Sequence, residues 1–254
     1  MKYLSIFILI FFYCIELTSR EVGQTEITAE DGVEVFQDEK YYLLKKNVKI
    51  ESDNFILLGD LIKIYFEKDL YDIKIIDAKG NAKLNSNLQN IIAVGEEIYF
   101  IVDEEKIMIS GVNSQLITDN IKMISDENIN VNNLKGDFSL FGEKSSLETD
   151  SIIVKGKKID GTFSPNTNIS EILILNVKDE NIAYVKSENT DMFANEINYN
   201  KDTSIINLIG NVKIIDDGEI VTGDYGTINT NNNSYKIKSK NSKRVKVLIS
   251  ENDE

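Results

Sequence analysis

The feature that most restricts what this chain can become is a block of sequence that occurs twice. Asn47-Val48-Lys49-Ile50, followed by Asp53, Ile56 and Gly59-Asp60, returns without a gap as Asn211-Val212-Lys213-Ile214, followed by Asp217, Ile220 and Gly223-Asp224. The register extends back to Asp38 and Asp202, and forward to Tyr71 with Ile73-Lys74 against Tyr235 with Ile237-Lys238. Between the two lies a fainter copy: Glu97-Ile98, Phe100, Asp103, Ile107 and Gly111 share the spacing of Glu196-Ile197, Tyr199, Asp202, Ile206 and Gly210. A repeated unit too small to bury its own apolar face stacks on its neighbours, so the repeat predicts an elongated body.

Inside the repeat, apolar and polar residues alternate. Val48 and Ile50, then Ile62, Ile64 and Phe66, then Ile98, Phe100 and Val102, Ile107 and Ile109, and Val245, Val247 and Ile249 each place their side chains on one face of a strand. Lys79-Gly80-Asn81, Asp216-Asp217-Gly218 and Thr230-Asn231-Asn232-Asn233 supply turn chemistry between runs. The fold class expected is all-β, built from many short antiparallel strands. Leu140 to Ser151 fits either a strand or a short helix, and the lone proline, Pro165, sits in the polar stretch Ser164 to Ser170, where structural units would part. This divides the chain into residues 1–20, an N-terminal β unit over 21–92, a middle β unit or insertion over 93–171, and a C-terminal β unit over 172–254.

Composition closes off several chemistries. The chain has no His, which removes His-based acid–base catalysis, Ser-His-Asp and Cys-His machinery and His-containing zinc sites. A net charge of −14 opposes nonspecific nucleic-acid binding. The chain opens with Lys2, an apolar run from Leu4 to Ile15, then Glu16, Thr18 and Ser19. That order reads as a cleaved secretory signal peptide, since the run falls short of the roughly twenty residues of a spanning helix. Cys14 is the single cysteine and lies within it, so the mature chain would carry no disulfide.

Two stretches carry a resemblance to a known family. Ile27-Thr28-Ala29-Glu30-Asp31-Gly32-Val33-Glu34, Glu39-Lys40-Tyr41 and Asn47-Val48 resemble the OstA-like domain that begins LptA proteins. Ala194-Asn195-Glu196-Ile197-Asn198-Tyr199, Gly210-Asn211-Val212, Gly223-Asp224-Tyr225 and Lys240-Asn241-Ser242-Lys243-Arg244-Val245 resemble the end of the same family. The resemblance implies a twisted, V-shaped antiparallel β-jellyroll that holds the lipid A part of lipopolysaccharide in an apolar trough, in the periplasm. It also implies a bridge in which protomers join end to end by edge-strand addition, between an LptC-like inner-membrane protein and an LptD-like outer-membrane protein. It implies no enzymatic activity and no cofactor. The middle region from Ala93 to Glu171 departs from the family pattern, as does the acidic charge.

The candidate lipid-facing wall is Val48, Ile50, Ile62, Ile64, Ile98, Phe100, Val212, Ile214 and Ile220, with an ordinary closed β core as the alternative for each. The cluster Lys236, Lys238, Lys240, Lys243, Arg244 and Lys246 would meet phosphates or an acidic partner, or protect an exposed edge strand. Asp53, Asp60, Asp217 and Asp224 recur at equivalent positions and read as turn residues rather than metal ligands or an acid–base pair. Two other functions fit the pattern: a membrane-anchored LptC-like component, if the N-terminal segment is retained, and a structural or adhesive β-solenoid with a closed core.

Overall fold

The structure, a computed structural model, describes residues 21–68, 72–87, 90–164, 171–232, 234–240 and 244–249. The expected signal peptide, Tyr71, Pro165 and Lys243 lie outside them. The described residues form twenty β-strands joined in one antiparallel hydrogen-bonded ladder.

The chain crosses the body back and forth, and each pass bends once at a corner, so the ladder folds into two leaves. Eight passes are single strands: β3 (Tyr41–Glu51), β4 (Phe55–Phe66), β5 (Ile73–Ser86), β6 (Ile91–Ile101), β15 (Ile172–Ser187), β16 (Thr190–Asn200), β17 (Ile205–Asp216) and β18 (Glu219–Asn229). Six are strand pairs: β1 (Glu26–Thr28) with β2 (Val33–Phe36), β7 (Lys106–Ser110) with β8 (Ser114–Ile117), and β9 (Ile121–Ser125) with β10 (Asn128–Asn132). The others are β11 (Asp137–Phe141) with β12 (Ser146–Thr149), β13 (Ile152–Lys155) with β14 (Lys158–Phe163), and β19 (Ser234–Lys238) with β20 (Lys246–Leu248). The fourteen passes stack in sequence order, spanning about 60 Å at the usual strand spacing. Leaf 1 holds β2, β7, β10, β11, β14, β19 and one half of each single strand; leaf 2 holds β1, β8, β9, β12, β13, β20 and the other halves.

The repeat defines the corners. In β3, Lys46 (φ 65°) and Asn47 (φ 48°) bulge opposite Asp60; in β17, Gly210 (φ 78°) and Asn211 (φ 50°) bulge opposite Asp224. Asn tolerates the left-handed region better than most residues, and two residues against one bend a strand. The side chains then staple the bend: Asn47 Nδ2 donates to Glu30 Oε1 at 2.6 Å, and Asn211 Nδ2 donates to Asn195 Oδ1 at 2.8 Å. Gly210 suits its place, because φ is 78° and a Cβ there would lie 2.7 Å from Asn195 Oδ1.

The middle of the chain bends by another device. Its passes break into separate strands, and buried serine hydroxyls take up carbonyls freed at the break: Ser114 Oγ donates to Gly111 O at 2.7 Å and Ser145 Oγ to Gly142 O at 2.9 Å. Ser125 Oγ donates to the Phe141 carbonyl in the same way. Leu140 to Ser151, open between strand and helix in the sequence, is strand, turn and strand; Gly142, at φ 133°, turns the chain out of any helical path. The ladder runs without interruption across positions 92 and 93 within β6, and β14 pairs with β15 on either side of residues 164–171.

Candidate functional site

The pairing registers trace rows of directly opposed side chains from the first pass to the last. One inward row of leaf 1 runs from Val33 through Leu44, Ile62, Ala78, Ile98 and Ile109 to Leu208, Gly226 and Ile237. A second starts at Val35 and Tyr42, passes Ile64, Ile76 and Phe100, and ends at Tyr199, Ile206, Ile228 and Tyr235. In leaf 2 a third runs from Ile27 through Ile50 and Leu57 to Ile214, Val221 and Val247. Apart from Gly226 and the Gly161 of the second row, these members are apolar, and the inner faces of both leaves join in one hydrophobic cluster. Each leaf is what covers the other.

Seven of the nine predicted wall residues lie inside this cluster: Val48, Ile50, Ile62, Ile64, Ile98, Val212 and Ile214 are 0–3% exposed. Phe100 faces inward and is half-buried. Ile220 does not join them. Its neighbour Val221 takes the inward place opposite Ile214, and strict alternation turns Ile220 to the outer face, opposite Ile215 and Leu248. The interior of leaf 1 also carries aromatic pairs. Tyr42 and Phe66 lie 5.0 Å apart by ring centroid and Phe138 and Phe163 6.5 Å apart, near the open ends of their strands. The alternation of Ile62 and Ile64 already included Phe66, and extending the alternation back from Leu44 would have found Tyr42.

The ladder's two end passes differ in charge. On the first, Val33 and Val35 point inward yet are 49% and 47% exposed, because among the described residues no strand lies beyond them. The outward residues there include Glu26 and Glu34, with Glu34 Oε1 2.6 Å from Lys45 Nζ. On the last pass Val247 points inward and is 50% exposed, while Lys236, Lys238 and Lys246 stand on the outer face and Arg244 is exposed just before β20. Lys240 is held back, its backbone N–H donating to Asp224 Oδ2 at 2.7 Å and its ammonium 4.4 Å from the Tyr225 ring. Asp60 likewise accepts from Asn81 Nδ2 at 3.2 Å, and Asp53 Oδ2 from the backbone N–H of Gly23 at 2.6 Å.

Two charge arrangements sit on the outside. On leaf 1, Lys79 Nζ lies 2.8 Å from Glu97 Oε1 and 3.5 Å from Asp77 Oδ2. Burial, then the Glu97 carboxyl beside it, pushes the Asp77 carboxyl up, and Lys79 first, then Asp77, pulls Glu97 down against its own partial burial. At the corner, a cleft of about 530 Å³ is lined by Phe141, Lys158, Lys178, Glu196 and Ile209. Its lysines are neutralised, with Lys178 3.3 Å from Glu196 and Lys158 3.4 Å from Asp160.

No protein-family profile matches the chain, and no curated protein matches it. Among solved structures, the chain is similar to LptH from Pseudomonas aeruginosa, described as the LptA-homologous periplasmic component of the lipopolysaccharide transport device. The TM-score is 0.42 at 15% identity, over 51% of this chain and 94% of that one.

Proposed function

We propose that this chain is an exported, non-enzymatic carrier that holds the acyl chains of lipopolysaccharide between its two leaves in the periplasm, within a bridge from an LptC-like inner-membrane protein to an LptD-like outer-membrane protein. The supporting observation is the set of inward rows, apolar but for Gly161 and Gly226, that run through all fourteen passes and reach both terminal strands, where Val33, Val35 and Val247 are about half-exposed. An acyl chain entering between the leaves exchanges side-chain contacts for acyl contacts, so little protein apolar area meets water. The lipid meanwhile gains about 0.8 kcal/mol for each methylene removed from water.

The terminal strands support the bridging part of the reading. With an even number of passes, the first and last run in opposite directions, so a second copy continuing both leaves would pair antiparallel like every internal neighbour. The row that starts at Glu34 ends at Lys236, and the rows starting at Val35 and Ile27 end at Tyr235 and Val247. A seam in register sets carboxylate against ammonium outside and apolar against apolar inside. Glu34→Lys should weaken end-to-end association in sedimentation velocity, and Lys236→Glu added to it should restore the association.

One observation favours a second reading: the wall residues are as buried as any closed core, which suits a structural spacer without ligand. The chain from Glu21 onward, which carries every strand, tests the two by displacement of a fluorescent lipid A analogue. Saturable binding that Phe100→Glu weakens supports the carrier, and Phe100 is suited to this because its half-burial spares the fold. A folded, strand-rich protein that binds none is the spacer. Intact mass of the exported protein, with or without residues 1–20, separates the carrier from a membrane-anchored LptC-like component.

A further inference from the structure

The outer face of leaf 2 is not uniform along the molecule. Over its last six passes, the outward strand residues include four lysines, Lys155, Lys186, Lys213 and Lys246, and a single carboxylate, Asp191. Asp191 is occupied, accepting a 2.6 Å hydrogen bond from the Tyr184 hydroxyl. Between the lysines lie Ile153, Ile215, Ile220 and the 48%-exposed Leu248. Tyr184 and Phe193 form the centre, 5.0 Å apart, with Lys155 Nζ 6.0 Å from the first ring and Lys213 Nζ 5.5 Å from the second.

The other copy of the repeat shows that this composition is not demanded by the scaffold. Lys213 corresponds to Lys49, but Ile215 corresponds to Glu51, which pairs with Lys49 and cancels its charge. The same face of the N-terminal unit is therefore mixed in charge, while that of the C-terminal unit is cationic and apolar in a chain of net charge −14.

We propose that the outer face of leaf 2 in the C-terminal unit docks on the phosphate-bearing surface of an anionic lipid bilayer. Lysine ammoniums would meet headgroup phosphates, and the rings and aliphatics between them would reach the headgroup–acyl boundary. The acidity of the chain as a whole, and the mixed charge on the same face of the N-terminal unit, favour docking by this face. This surface lies outside the interior and does not depend on what the interior holds.

The test uses the chain from Glu21 onward and sedimentation with phosphatidylcholine vesicles, with and without phosphatidylglycerol. Binding is expected only to the anionic vesicles and is lost at high salt. Lys155→Glu with Lys213→Glu should weaken it at least about tenfold, while Lys49→Glu with Lys83→Glu, on the same face of the N-terminal unit, leaves it unchanged. Because the chain has no Trp, Leu248→Trp provides a single reporter whose emission should shift to the blue on docking. No binding to anionic vesicles, equal loss from both charge reversals, or equally strong binding to soluble polyphosphate would overturn the proposal; circular dichroism establishes that each variant is folded.

Discussion

The two copies of the repeat differ in an instructive way. β3 and β4 share with β17 and β18 their lengths to within one residue, their bulges and their inward residues: Leu44 matches Leu208, Val48 matches Val212 and Ile50 matches Ile214, all buried to within a few per cent. Outside, they diverge. The first copy carries Tyr41, Tyr65 and Glu51 where the second has Ile205, Asn229 and Ile215. Corner and core are properties of the scaffold, which every pass must satisfy to stack, whereas the outer faces answer only to solvent or to partners. The middle passes teach the same lesson from the other side: they reach the same bend by strand breaks with buried serines, only one of which also carries a left-handed Asn, Asn113, so the bend is the requirement and the residue is one solution.

The comparison breaks first if the cores are not equivalent. Leu44→Ala and Leu208→Ala should each cost about 2–5 kcal/mol in urea unfolding, and their effects should add because they sit ten passes apart. A large cost at one and little at the other would show the copies to be unequal. The corners come next. Gly210→Lys should destabilise by about 1–2 kcal/mol, whereas Lys46→Gly, the reverse exchange in the other copy, should be neutral or stabilise by up to about 1 kcal/mol.

A smaller effect sharpens the contrast between the outer faces. Asp77 is held above its ordinary value, so what it contributes to stability is present below its unfolded pKa and fades as pH rises through its folded one. Glu97 is held low and contributes in the opposite sense, fading as pH falls through its folded value. Asp77→Asn should therefore gain on the wild type as pH rises from the acid range toward neutrality, and a stability difference independent of pH would count against the raised Asp77 carboxyl. The least effect is that of Glu34→Ala, whose exposed partnership with Lys45 is worth within about 1 kcal/mol to the single chain. Its influence belongs to the seam, where association and not melting should report it.

Much of this architecture was legible beforehand. Alternation identified the strands around Ile62, Ile98 and Val212, and the repeat marked Asn47 and Asn211, which prove to be the bends, because period and turn chemistry are local properties. Ile220 shows where locality ends. Its run looks like any other, but only the register of β18 against β17 and β20 decides which of its two alternating sets points inward. The contact of Tyr42 with Phe66 and the pairing of Lys79 with Glu97 and of Lys178 with Glu196 likewise depend on neighbours distant in sequence.

The sequence by itself determined an all-β chain of stacked, bending passes with one apolar and one polar set of side chains, since a period of two and a tolerated left-handed residue are written residue by residue. Only the tertiary structure decided that the leaves close on each other, that Glu34 and Lys236 terminate the same row, and that the cationic, apolar face belongs to one end. Those outcomes depend on register summed over fourteen passes and on the separation of two leaves, and no single segment carries either.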